Sequence, residues 1–352
     1  MRLLARGALM GAVLACLLLP AEASAFQKAI WGPLTYNGVN QFPLYHQLGV
    51  TIDETDLAWD QVAPTRPHHP TNPNDPAYHW PAAISQLIAA GQPYGIQVMI
   101  QIRDSPAWAS GHTNPAWAPK HPADFAAFAA AAAKHYPQVK LWMVWGEPTR
   151  SGLFYPITKA QPLEPLVGSQ RQAPHLYARI LNDAYFALKG VSKSNRVIGG
   201  CTYTTGLIDP QQWIANLKLP DGKPPHMDMY AHNPFSYQTP TFGQPYSFFG
   251  AVQFSDLHEL AGWVNKYLGK KIPLFLSEFT VPTAPDNEFN FYVSPPSVAA
   301  QWVTDVLRES RAWHRIYALG WVNVYDNLPE TAGGLLSESG VPKPDFYAFE
   351  HG

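Results

Sequence analysis

Cysteine is nearly absent: Cys16 and Cys201 are the only two in 352 residues. Cys16 falls in a stretch expected to be removed. Cys201 then stands alone, no internal disulfide can form, and a small buried hydrophobe is its expected role. Charge is scarce as well. Only 14% of residues are Asp, Glu, Lys or Arg and the formal net charge is −2, which gives no electrostatic reason to expect a nucleic-acid partner or an anionic membrane surface. No glycine-rich phosphate loop follows the first apolar run, so nucleotide binding has little support. No stretch after residue 25 is long and apolar enough to cross a bilayer. Neither an internal repeat nor a low-complexity linker marks a domain boundary. His68 and His69 share a proline-rich loop with no third ligand at metal spacing, so neither a metal nor another cofactor is expected.

What is present begins with "MRLLARGALMGAVLACLLLPAEASA". Arg2 and Arg6 precede a short apolar run that closes on Ala23-Ser24-Ala25, the pattern of a cleaved export signal. The expectation is a leader over residues 1–25, a secreted or cell-envelope protein over 26–352 folded as one domain, and no membrane attachment after cleavage. Oligomeric state is not legible. Aromatic residues are abundant, with 12 Trp, 17 Tyr and 17 Phe. Set against so little charge, they suit stacking on sugar rings better than binding ions or phosphates.

Eight short apolar runs recur along the chain: 27–32, 50–55, 96–103, 139–147, 196–203, 226–232, 273–279 and 317–325. Several are apolar almost throughout, as parallel strands covered on both faces should be. Helical patterns lie between them. In 124–136, Phe125, Phe128 and Ala132 share a face; in 175–190, Leu176, Ile180, Leu181, Ala184 and Leu188 do, with Gly190 as a candidate C-terminal cap. The pattern returns in 256–269, ending at Gly269, and in 297–313. Eight strands alternating with helices predict an α/β fold, a (β/α)₈ TIM barrel, with an open doubly wound sheet as the alternative. In such a barrel the segments after the strand C-termini form the working face. Three of these, 148–173, 233–254 and 280–294, are long and rich in aromatic residues.

Two strands end in glutamate: Glu147 in "WMVWGEP" and Glu278 in "LFLSEF". These are strands four and seven of the count, and in a barrel their ends can face each other across the axis. Cleavage of a glycosidic bond needs two flanking carboxyl groups, one protonated to help the leaving oxygen depart and one ionised to attack the anomeric carbon or activate water. Neighbouring carboxyls suit this because each charge raises the other's pKa. A solvated loop glutamate is the ordinary reading of either residue alone. Pro148 fixes the turn that presents Glu147.

"WGEP" and "LSEF" at these two strand ends resemble the acid/base and nucleophile positions of retaining glycoside hydrolases of the clan A barrel superfamily. Further segments are similar in order: "DLAWDQVAP" to "VMIQI" over 56–102, "SPAWAS" at 105–110, "YAHNPF" at 230–235 and "GLLSESGVPKPDFYAF" at 334–349. The nearest in motifs are family 39 and family 5-like enzymes. The resemblance implies a carbohydrate substrate, double displacement, Glu147 as acid/base and Glu278 as nucleophile. It further places Tyr230 or His232 beside the nucleophile to orient it, with a satisfied core role as the equal alternative. Trp321, and Trp108 after strand three in the same way, either floors the sugar site or simply packs the barrel. Arg103 is either a substrate contact or one half of an ion pair. Trp145 is expected to fill the core, and Asp53, Glu54 and Asp56 to form a solvated cluster. Gly146 departs from the superfamily, which has asparagine there to bond the sugar 2-hydroxyl; an arginine common on strand two is also missing. Two other readings stand beside the hydrolase: a carbohydrate-binding barrel without chemistry, and a metal-dependent barrel hydrolase.

Overall fold

The computed structural model describes residues 26–243, 248–289 and 292–352. The expected leader over 1–25 lies outside the described residues. Eight parallel strands close into a barrel, numbered here β1 to β8: Gln27–Trp31, Val50–Ala58, Gln97–Arg103, Leu141–Val144, Arg196–Tyr203, Met229–Asn233, Leu274–Phe279 and Ile316–Trp321. Each pairs with its neighbours in sequence, and β1 closes on β8. A helix follows each strand: α1 Phe42–Gln47, α2 Ala82–Gly91, α3 Pro122–His135, α4 Gln172–Val191, α5 Pro210–Ala215, α6 Leu257–Leu268, α7 Pro296–Ala312 and α8 Pro344–His351. The (β/α)₈ barrel expected from the alternation is what forms. Among the described residues, no helix is long and apolar enough to cross a membrane.

Two hydrophobic layers result. Inside the barrel, Ala29, Ile52, Met99, Leu141, Met143, Ile198, Met229, Ala231 and Phe275 pack together, contributed by successive strands. Outside it, the opposite strand faces meet the helices. On α4 the stripe Tyr177, Ile180, Leu181, Ala184 and Leu188 is fully buried against the strands. The helix runs past Gly190 to Val191, so that glycine does not cap it, whereas Gly269 caps α6 in a left-handed conformation (φ 67°).

Period-two alternation sets most of what reaches the barrel mouth, and a register shift between Leu276 and Phe279 of β7 breaks it at Ser277 and Glu278. Beyond the inner positions Ile52, Met99, Met229 and Phe275 come Glu54 and Asp56, Gln101 and Arg103, Asn233, and Ser277. Tyr230 and His232 have the other parity.

Burial also sets a pH dependence. Asp345, at the start of α8, is fully buried. Burial raises its pKa from 3.8 to about 7, with Lys343 opposing the shift. Between those values the folded chain holds a proton that the unfolded chain has lost, so stability falls as pH rises from about 4 to about 7. Asp345→Asn removes that loss. The variant is expected to match the wild type in thermal unfolding near pH 4 and to exceed it near pH 8, by a few kcal/mol at about 1.4 kcal/mol per pKa unit. Equal melting temperatures at both pH values would contradict this.

Candidate active site

The tip of β4 is built to hold one carboxylate. Its ladder ends at Val144, whose carbonyl accepts from the Tyr177 hydroxyl of α4 (2.8 Å); the same hydroxyl accepts from Gly200 N–H in the β5 bulge (2.8 Å). Trp145 and Glu147 both have left-handed backbone, φ 65° and 42°, a conformation uncommon outside glycine and a frequent mark of functional turns. The expected core role of Trp145 is what the structure has. The residue is buried, packs edge-on against Phe154 and donates through Nε1 to Leu153 O (2.7 Å). Gly146 between them abuts Gln101: a Cβ there would lie 2.6 Å from Gln101 Nε2 and 2.8 Å from its Cδ and Oε1. The space that asparagine would occupy is therefore taken by a glutamine from β3.

Glu147 is almost fully buried, at 5% exposure. Its Oε1 accepts from Asn233 Nδ2 (2.8 Å) at the end of β6, and its Oε2 from Arg150 Nη1 (3.1 Å) in the following turn. Burial raises its pKa; Arg150 and Asn233 pull it back, and the charge of Glu288 pushes it up again. Arg150 bonds Glu288 of the β7–α7 loop as well and lies 5.0 Å from the Tyr203 ring centre. Glu278, on β7, is half-buried and accepts no hydrogen bond from any described residue. Burial holds its pKa well above the usual carboxylate range, the charges of Glu147 and Asp56 raise it further, and Arg150 opposes them. Glu147 and Glu278 are thus near enough for the charge of the first to raise the pKa of the second.

Asp56 extends the cluster. It accepts from Gln101 Nε2 (2.7 Å) and from Arg103 Nη1 (3.2 Å), while Arg103 Nε bonds Asp104 (3.0 Å). Arg103 is thus an ion-paired residue on the mouth, beside a 510 Å³ cavity lined in part by Asp56 and Asp104. Below this layer, Glu54 is fully buried and accepts from Ser277 Oγ (2.8 Å). Burial raises its pKa well above the usual value. Gly320 gives it room, since a Cβ there would fall 2.2 Å from Glu54 Oε1 and 2.0 Å from Ser277 O.

Several expected site residues lie elsewhere. Tyr230 and His232 are fully buried on the outer face of β6, one residue out of phase with the cleft. Tyr230 OH bonds Thr202 Oγ1 (3.2 Å), whose hydroxyl meets His232 Nδ1 (2.8 Å); His232 Nε2 donates to Val252 O (2.9 Å). Burial lowers the His232 pKa to about 4, so the ring is a neutral staple between β5 and β6. Neither residue orients Glu278, and Asn233 takes the inward place. Trp321 is also fully buried and outward, donating to Gly333 O (3.0 Å) with its ring against Phe279 and Phe349 of α8, so it floors no sugar site. Trp108 packs edge-on to Trp59, donates to Ala63 O (2.8 Å) and carries Arg66 over its ring at 4.5 Å. It belongs to the outer wall. The acidic run of β2 is not solvated: Asp53 and Glu54 are buried because the strand continues to Ala58, and only Asp56 reaches the mouth. Among the described residues no group of three or more His, Cys, Asp or Glu is placed to hold a metal ion.

The residues that sequence reading missed are Asn233, Arg150, Glu288, Gln101 and Trp31. Trp31 ends β1, is half-buried, donates to Ser277 O (3.2 Å), and lines a 340 Å³ cavity with Tyr36, Asn323 and Tyr325. Tyr36 and Tyr325 stack there at 3.6 Å.

No family model matches the sequence, and none of the curated proteins matches it. Solved structures do. The chain is similar to a family 39 glycoside hydrolase from Bacteroides cellulosilyticus (21% identity, TM-score 0.65), over 94% of this chain and 64% of that one. It is similar to a monomeric beta-xylosidase from Caulobacter crescentus (16%, 0.63), over 94% of this chain and 69% of that one. A glucosidase from Croceicoccus marinus is similar at 14% and 0.65, over 93% and 66%. The barrel fold is shared with these proteins, and the chain spans only about two thirds of their length.

Proposed function

We propose that the protein is a retaining glycoside hydrolase acting on a poly- or oligosaccharide. The observation that carries this is the position of Glu147 just past the end of β4 and of Glu278 near the end of β7 of one closed barrel, with the charge of Glu147 raising the pKa of Glu278. Glu278 attacks the anomeric carbon while Glu147 protonates the leaving oxygen. Glu147 then takes a proton from the water that releases the covalent sugar. Asn233 and Arg150 orient Glu147. Trp31, whose indole bonds Ser277 O next to Glu278, offers an apolar face for a sugar ring. The structural neighbours described as glycosidases support the same reading. The basic, apolar, small-residue order of residues 1–25 supports export to the cell envelope or medium as part of the proposal.

A screen of polysaccharides and aryl glycosides, reading product mass and anomeric configuration, tests it. Products that retain the anomeric configuration are expected. Inverted products would sink double displacement, and no release from any glycan would sink the hydrolase. Two observations favour a second reading, a sugar-binding barrel without chemistry: Glu278 lacks any hydrogen-bond donor among the described residues, and Gly146 stands where the superfamily has asparagine. A glycan bound and recovered intact after long incubation would establish that alternative.

A further inference from the structure

Arg150 lies one turn beyond Glu147, its N–H donating to Glu147 O (2.9 Å). Its guanidinium divides between two carboxylates: Nη1 bonds Glu147 Oε2 at 3.1 Å and Nη2 bonds Glu288 Oε1. The two acceptors are unlike. Glu147 is buried in the site, whereas the Glu288 side chain is 39% exposed. Glu288 sits on a braced segment: its N–H donates to Glu330 O (3.1 Å), Asn287 N–H donates to Pro329 O (2.8 Å), and the buried Asp286 carboxylate accepts from Ala332 N–H (2.7 Å). A fixed negative charge is thus held within reach of a long, half-exposed arginine. An acid/base must be protonated for the first chemical step and ionised for the second, and a guanidinium bonded to it favours only the ionised form.

Resting on the hydrolase reading, we propose that Arg150 is a positioning residue whose guanidinium is handed between Glu147 and Glu288. Bonded to Glu147 it readies that residue as a base; drawn wholly to Glu288 it frees Glu147 to hold the proton it donates. The groups facing Glu147 are few. Arg150 comes from its own loop, Cys201 and Tyr203 from β5, the neutral Asn233 from β6, Glu278 from β7, and Glu288 from the loop that follows. Burial raises the pKa of Cys201 and Tyr203, leaving both uncharged near neutrality. Among the described residues, Arg150 is therefore the one cation opposing Glu278 and Glu288 there.

The signs follow. Removing Arg150 takes away a stabiliser of ionised Glu147, so its midpoint rises. Removing the Glu288 charge leaves Arg150 to Glu147 alone and deletes a repulsion, so the midpoint falls. The full-length protein labelled with carboxyl-¹³C glutamate, titrated by NMR without substrate, reads this directly. The Glu147 resonance is assigned by its loss in Glu147→Gln. Arg150→Gln is expected to raise the midpoint by about 1–3 units and Glu288→Gln to lower it by about one unit. Arg150→Lys, which keeps the charge without the fork, is expected to fall between wild type and Arg150→Gln. The alkaline limb of kcat/KM should move with each midpoint. Midpoints that stay put, or that move the same way in Arg150→Gln and Glu288→Gln, overturn the proposal and leave Arg150 a loop tether. The titration needs no turnover, so a protein that cleaves no glycan refutes the hydrolase without blurring this result. Cleavage with unmoved midpoints refutes Arg150 alone.

Discussion

Replacing Glu147 by glutamine is expected to slow hydrolysis of glycosides with poor leaving groups by about 10²–10⁴-fold, the usual worth of general acid–base assistance. Glutamine keeps the size of the side chain and can still accept from Asn233 Nδ2, so the tip of β4 should stand. Activated aryl glycosides need little help in departing. With them the first step is spared and the second, which needs a base, becomes slow. A glycosyl-enzyme should then accumulate, seen as an initial burst of phenol and as one added sugar in the intact mass. Glu278→Gln removes the proposed nucleophile, so both substrate classes should fail and no mass adduct should form. Opposite behaviour of the two variants toward leaving groups is the discriminating result. Wild-type rates in both would refute the assignment. An adduct in Glu278→Gln but not in Glu147→Gln would reverse it, a pertinent outcome because Glu147, not Glu278, holds the donors that favour an ionised carboxylate.

Gly146→Asn, which introduces the asparagine that the sequence resemblance leads one to expect there, is expected to damage the protein rather than improve it. The new Cβ would fall 2.6 Å from Gln101 Nε2, and Gln101 is only 4% exposed and bonded to Asp56 at 2.7 Å. To make room, its amide would have to leave Asp56. Overfilling costs about 1–3 kcal/mol, and an amide displaced from its buried partner costs about 1–3 kcal/mol more. For a chain of this size the melting temperature should drop by roughly 5–10 °C. Activity should fall with it, because Asp56 and Arg103 lose their brace at the mouth. Gln101→Ala in the Gly146→Asn background is expected to recover most of the melting temperature, a coupling that only neighbours in contact produce. An unchanged melting temperature in Gly146→Asn would show that Gln101 yields freely. The glycine is therefore half of an exchange between β3 and β4, with Gln101 as the other half.

That exchange marks where sequence reading stops. The barrel was legible because each strand is an apolar run of the right length, and Glu147 and Glu278 because each closes such a run. Side-chain direction was not. Register shifts between Gly199 and Thr202, and again along β8, break the period of two, so nothing local distinguishes an inward from an outward residue near a strand tip. Tyr230 and His232 missed the cleft by one position, and Asn233 gained it. Arg150 carried a usable signal, three residues beyond Glu147 in a proline-led turn. Glu288 carried none, since its partner lies 138 residues away in sequence and the two meet only once the barrel closes. Trp321 and Trp108 were misplaced for a related reason. An aromatic side chain serves the helix-facing wall as readily as a sugar, and composition alone does not separate the two uses.

The placement of the tryptophans has an optical consequence. Trp59, Trp142, Trp145, Trp213 and Trp321 are sealed in the wall and core, whereas Trp31 stands half-open at the end of β1 with its indole bonded beside Glu278. Trp31 is one of six half-buried tryptophans, with Trp80, Trp108, Trp117, Trp263 and Trp313, so total emission reports the barrel as a whole. Occupancy of the cleft is read from the emission change that disappears in Trp31→Phe.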